Sequence, residues 1–229
     1  MQMAQEAKRR IAPDESIWEQ LTGKTVVLAG NENSQKECFR QNLAHLAGRL
    51  GGRFSLSDDL SAAGSEDLVF LFGMPQAGTC RMEALLEALA EISVRRLPCT
   101  ALVTANTVYG KQFGASHAFT EQELGYACHT SAADMALSEM RLAENLAHRL
   151  AAEEGLPIKI VRMEESPGGD CVEAMLEAAV KVLLYGVPGE AYNLPGSHEN
   201  AETDAASRLS PLPVRTDTRK VQSLDIRGK

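Results

Sequence analysis

The residues best placed to do chemistry sit where an apolar run ends. Lys24-Thr-Val-Val-Leu-Ala29 is short and β-branched, and Gly30-Asn31-Glu32-Asn33-Ser34-Gln35-Lys36 follows it directly. Such a run reads as a buried parallel strand. Ligands of parallel sheets bind at the carboxyl ends of strands, near the point where strand order reverses. The turn at Gly30 is therefore the first place to look for a bound group, and Lys36 could meet a phosphate there as a point charge. Asp58 and Asp59 follow a weaker second strand. Acids in that position can hold a ribose hydroxyl or an adenine edge. A helix-capping or solvated pair is the alternative reading. The five cysteines (Cys38, Cys80, Cys99, Cys128, Cys171) are scattered with no CxxC, and the five histidines form no HExxH or HxH pair. That pattern predicts reduced thiols in a cytoplasmic protein, with neither a disulfide framework nor a metal site.

Composition narrows the classes further. The 229 residues are 44% hydrophobic and 24% charged, which is ordinary globular usage. A chain of this length buries enough surface to fold without a disulfide or a metal. No run of about 20 apolar residues is present to span a bilayer. The opening MQMAQEAKRR is polar and leads into no apolar segment, so no secretory signal is expected. The formal net charge is −8, and the basic clusters Lys8-Arg9-Arg10 and Arg95-Arg96 are short and far apart. Nucleic acid is not an expected partner.

The elements that must position these residues are legible from periodicity. Residues 1–23 form a polar lead-in, with Trp18 and Leu21 as anchors. Strands are expected at 24–29, 53–57, 68–72, 100–104, 158–161 and 191–194. Helices are expected at 34–50, 80–94, 133–154 and 170–185, with Met82, Leu85, Leu86, Leu89 and Ile92 inward in the second. Residues 105–131 are a long irregular stretch, and the tail from Pro195 is rich in proline, serine and charge. This alternation implies an α/β fold. It is a Rossmann-like, doubly wound parallel sheet over residues 24–194, with helices on both faces. Residues 195–229 form a C-terminal tail.

Several segments, in this order, are similar to those of one family. They are Trp18-Glu-x-Leu-x-Gly-Lys-Thr-Val-Val-Leu-Ala-Gly30, Thr107-Val-Tyr-Gly110, Leu137-Ser-Glu-Met-Arg-Leu-Ala-Glu-Asn145, Pro157-Ile-Lys-Ile-Val-Arg162, Asp170-Cys-Val-Glu-Ala-Met175 and Gly189-Glu-Ala-Tyr-Asn193. The chain resembles an extended short-chain dehydrogenase/reductase of the NAD-dependent sugar-nucleotide epimerase/dehydratase group. The resemblance implies an NAD(P) site at Gly30, with Asn33, Lys36 and Asp58 as its further candidates. It also implies a catalytic hydroxyl at the end of the fourth strand and a Tyr-x-x-x-Lys pair on the following helix.

The departures from that pattern set the expectation for function. The family turn carries three glycines, and here only Gly30 is kept. Asn33, in place of the second glycine, can still adopt a left-handed conformation, which asparagine tolerates. Lys36 brings a long side chain to a close helix–strand contact, and Glu32 brings a negative charge beside a pyrophosphate. The three catalytic positions of the resemblance fall on Ala105, Ala136 and Met140, none of which can transfer a proton. Among neighbours, Thr104 should face the opposite side of its strand. Ser138 carries a hydroxyl, Tyr109 reads as turn packing, and Tyr126 and Lys111 are candidates for relocated catalytic groups. One strand–helix unit is missing before Leu68, and Pro167-Gly-Gly-Asp170 follows Arg162 so closely that the substrate lobe is reduced. The expectation is a binding or assembly module that has lost the family's catalysis. The alternative is an active nucleotide-sugar epimerase or dehydratase, or a related NAD(P)-linked enzyme, with relocated groups. Helices 80–94 and 133–154 resemble the family's dimer-forming pair, so a homodimer, or a heterodimer with an active relative, is expected through them.

Overall fold

The computed structural model describes residues 15–74, 82–97, 99–109, 132–163, 172–194 and 218–224. The strands are β1 (Thr25–Gly30), β2 (Ser55–Ser57), β3 (Leu68–Phe72), β4 (Cys99–Ala105), β5 (Ile158–Met163) and β6 (Ala191–Asn193). They form one all-parallel sheet in the order β2-β1-β3-β4-β5-β6. The helices are α1 (Glu15–Glu19), α2 (Ser34–Arg49), α3 (Met82–Arg95), α4 (Ala132–Glu154), α5 (Val172–Tyr185) and α6 (Arg219–Gln222). No helix among the described residues is long and apolar enough to cross a membrane.

The strands are buried on both sides because their side chains alternate between two apolar layers. Val26, Leu28, Phe70 and Phe72 pack with Trp18, Phe39, Leu43, Leu176 and Leu183 from α1, α2 and α5. Val27, Leu71, Leu102 and Ile160 pack with Leu85, Leu89, Ile92, Ala143 and Ala147 from α3 and α4. Phe39 meets Phe70 and Phe72 edge-on, with ring centroids 4.9 and 5.6 Å apart. Such pairs add to the burial itself. The fold is the doubly wound α/β sheet expected.

Two details differ from the periodicity. Leu86 is not inward but 45% exposed, because Leu85, Leu89 and Ile92 already complete the buried stripe of α3. Thr218–Leu224 also returns to the sheet. Val221 is 2% exposed, and Lys220 Nζ donates to the Ala191 carbonyl at 2.7 Å while lying 4.4 Å above the Tyr192 ring.

The classic doubly wound order is 3-2-1-4-5-6. Here only β2 lies outside β1, and a single 3-10 turn, Leu60–Ala62, separates β2 from β3. Among the described residues no further strand lies outside β2, and no α-helix stands between β2 and β3. Only eight residues join β5 to α5.

A buried polar network ties the ends of β4, β5 and β6 together. Arg162 on β5 donates to both carboxylate oxygens of Glu144 on α4, from Nε at 3.0 Å and from Nη2 at 2.7 Å. Thr104 Oγ1 donates to Glu144 at 2.6 Å, and Arg162 Nη1 donates to the Tyr109 hydroxyl at 2.9 Å. Tyr109 in turn donates to Asn193 Oδ1 at 2.5 Å. Burial works against the guanidinium charge, but Glu144 and then Tyr109 outweigh it and raise the Arg162 pKa above its ordinary value.

Lys159, opposite Ala101 on β4, is a buried cation whose Nζ donates to the Leu183 carbonyl at 3.2 Å. Burial pushes its pKa below the usual lysine range, opposed in part by Cys99. The fold thus favours the neutral amine, and stability rises with pH from the folded-state pKa up to about 10.4, the unfolded value. Lys159→Met is expected to stabilise the protein at neutral pH by about 1 kcal/mol. The gain should shrink as pH approaches about 10 in thermal melts across that range. Arg162→Met strands a buried carboxylate and is expected to cost about 3–5 kcal/mol in urea unfolding. Arg162→Met/Glu144→Leu should recover most of that loss.

Candidate functional site

Strand order reverses between β1 and β3, so the crevice outside their carboxyl ends is the site the topology creates. Its floor is the turn after β1. Gly30 has φ 90°, and a Cβ there would stand 2.5 Å from the Phe72 carbonyl oxygen and 2.9 Å from the Phe72 nitrogen. Only glycine fits. The Asn31 N–H donates to that same carbonyl at 2.9 Å. The Asn31 side chain is buried, and its Nδ2 finds no hydrogen-bond partner among the described residues.

Asn33 does not take the left-handed conformation that is open to asparagine. Its backbone is extended, with φ −158° and ψ 172°, and it serves as the N-cap of α2. Its Oδ1 accepts from the Lys36 backbone N–H at 2.7 Å, and its Nδ2 donates to the Met74 carbonyl at 3.2 Å. The cap explains the difference, because a capping side chain needs an extended backbone to reach its own helix. The same residue bridges the loops that leave β1 and β3.

Lys36 is 2% exposed. Its Nζ donates to Glu32 Oε1 at 2.5 Å. The other Glu32 oxygen lies 3.7 Å from Arg40 Nη2. Arg40 continues to Asp58, with Nη2 at 2.7 Å and Nε at 3.2 Å from Oδ1, and to Glu37 at 2.7 Å. Burial draws the Arg40 pKa down, but Asp58, Glu32 and Glu37 together raise it above the ordinary value. Gly30, Asn33, Lys36 and Asp58 are thus brought to one edge of the fold, linked through Glu32 and Arg40. Asp59 stands apart and caps the 3-10 turn, accepting from the Ser61 N–H at 2.9 Å and the Ser61 hydroxyl at 2.7 Å. Arg40 was not singled out in the sequence. Its acidic neighbour Glu37 on α2 is a visible signal, but Asp58 lies 18 positions away.

The second cluster lies where β4 ends against α4. Ala105 and Met140 are 1% and 3% exposed, and both belong to an apolar cluster with Leu137, Val108 and Tyr109. Thr104 turns to Glu144 instead, on the opposite side from Ala105, as strand alternation requires. Tyr109 is fully buried, with its hydroxyl engaged by Arg162 and Asn193. Ser138 has its own interaction on α4. The side chain of Ala136 lies outside the described residues, as do Tyr126 and Lys111. Among the described residues, no group of histidine, cysteine, aspartate and glutamate could hold a metal, and Cys38 and Cys99 are free thiols.

No protein-family model and no curated protein matches the chain. Solved structures do. A dTDP-glucose 4,6-dehydratase from Bacillus anthracis, in complex with NAD, superposes with a TM-score of 0.59 at 12% identity, covering 88% of this chain and 90% of that one. A dTDP-glucose 4,6-dehydratase from Streptomyces venezuelae, with NAD bound, gives 0.58 at 14% identity over 90% and 92%. The enzyme WbmF from Bordetella bronchiseptica, in complex with NAD+ and UDP, gives 0.52 at 12% identity over 90% and 88%. At these identities the likeness is one of fold. The chain shares the doubly wound, Rossmann-like parallel fold of these structures.

Proposed function

We propose that this chain is a non-catalytic relative of the NAD-dependent epimerases and dehydratases, a cytoplasmic binding or assembly module on their scaffold. The observation that carries this reading is the burial of Met140 and Ala105 in one apolar cluster. Under the resemblance, those positions hold the lysine and the hydroxyl that work with the coenzyme. A thioether and a methyl group offer no proton to transfer near pH 7. The Thr104 and Tyr109 hydroxyls are already committed to Glu144, Arg162 and Asn193. Purified protein incubated with NAD and a panel of UDP- and dTDP-sugars is expected to give no epimerised or dehydrated product by chromatography. Turnover abolished by Tyr126→Phe would reverse the reading in favour of relocated catalysis.

Assembly through α3 and α4 goes with the same reading. The two helices pack together, and each leaves a leucine in solvent, Leu86 at 45% and Leu142 at 58% exposure. An apolar residue outside a completed stripe fits a second, shared surface. Static light scattering should show a homodimer, and Leu86→Glu/Leu142→Glu should shift it to monomer with little change in thermal stability. If the chain instead pairs with an active relative, it runs as a monomer alone and enters a dimer only on mixing.

A further inference from the structure

We propose that the chain Lys36–Glu32–Arg40–Asp58 occupies, within this protein, the ground a dinucleotide coenzyme would cover, and that the Gly30 turn is thereby closed to pyrophosphate. Three observations converge on it. The first concerns the N-terminus of α2. A helix start attracts an anion through its free N–H groups. Here the Asn33 carboxamide already accepts from the Lys36 N–H, and the same side chain bridges to the Met74 carbonyl across the mouth of the crevice.

The second is charge. Lys36 is the cation best placed to meet a phosphate, and its Nζ is held by Glu32 at 2.5 Å. Asp58, placed to hold a ribose hydroxyl, is held by Arg40 at 2.7 Å. Glu32 and Glu37 flank the same guanidinium. The strip carries two cations against three carboxylates, so it presents net negative charge to a ligand that is itself an anion. At separations below a Debye length that repulsion is only partly screened.

The third is volume. The resemblance places a glycine where Lys36 stands, to let helix and sheet approach. Lys36 is 2% exposed, so a long buried side chain stands there in place of a hydrogen atom, with its Nζ at Glu32.

The strip is not sealed. Glu32 is 65% exposed and can leave Lys36 if its charge is removed. The inference rests on the same cleft as the non-catalytic reading but fails separately. Turnover of a sugar nucleotide overturns that reading, whereas tight coenzyme binding without turnover overturns only this one.

The test is calorimetry with NAD, NADH and inorganic pyrophosphate on three proteins: wild type, Glu32→Gln and Glu32→Ala/Lys36→Gly. Circular dichroism establishes that each is folded. The wild type should give no saturable heat at submillimolar ligand. Glu32→Gln should bind pyrophosphate about tenfold more tightly than the wild type, from the loss of one repelling charge. The double variant, which also restores a small residue at the contact, should gain NAD and NADH. Submillimolar binding of NAD by the wild type, or two folded variants with no gain over it, would overturn the proposal.

Discussion

The buried pair of Glu144 and Arg162 is the interaction on which the carboxyl half of the sheet depends. A carboxylate and a guanidinium taken out of water are tolerated only when nearly every polar atom is matched. Both Glu144 oxygens accept from Arg162, one also from Thr104, and the remaining Arg162 nitrogen reaches Tyr109 and through it Asn193. Residues of β4, α4, β5 and β6 and of the 3-10 turn Asn106–Tyr109 are thereby held in one geometry. The arrangement also decides what the strand ends are able to do. The Thr104 and Tyr109 hydroxyls are consumed in holding the pair.

The two ends of the sheet treat charge in opposite ways. At β4 to β6, Arg162 and Glu144 are buried and paired with each other. Around β1 and β2, Glu32, Glu37 and Asp58 are about half exposed or more and meet the half-buried Arg40 and the buried Lys36. Exposed pairs contribute little to stability. Their importance lies in the field they set at the mouth of the crevice, which is where the fold's topology would otherwise invite a ligand.

Much of this architecture is legible in the chain itself. Leu68–Phe72 is buried at every position, and an unbroken apolar run bounded by turns reads as a central parallel strand. The missing strand and helix follow from the short distance between α2 and β3. Other features are set by partners far away in sequence. Tyr109 is paired with a residue 84 positions on, and Thr104 with one 40 positions on, so neither bond has a local signature. Asn33 is a case where local reasoning leaves two states open. Asparagine tolerates both a left-handed turn and a cap, and the helix that follows decides between them. α1 and α6 are too short for periodicity to register; Trp18 and Leu21 still read as anchors, whereas only its burial reveals the role of Val221.

The sheet ends on both sides in a strand of three residues, β2 and β6. Along β6, the ammonium of Lys220 takes up a main-chain oxygen. Margins this short, one of them blocked by a lysine, are poor templates for a neighbouring molecule to extend the ladder. Fibre-like growth from edge to edge is disfavoured at either margin, and lasting contact between copies is left to surfaces made of side chains.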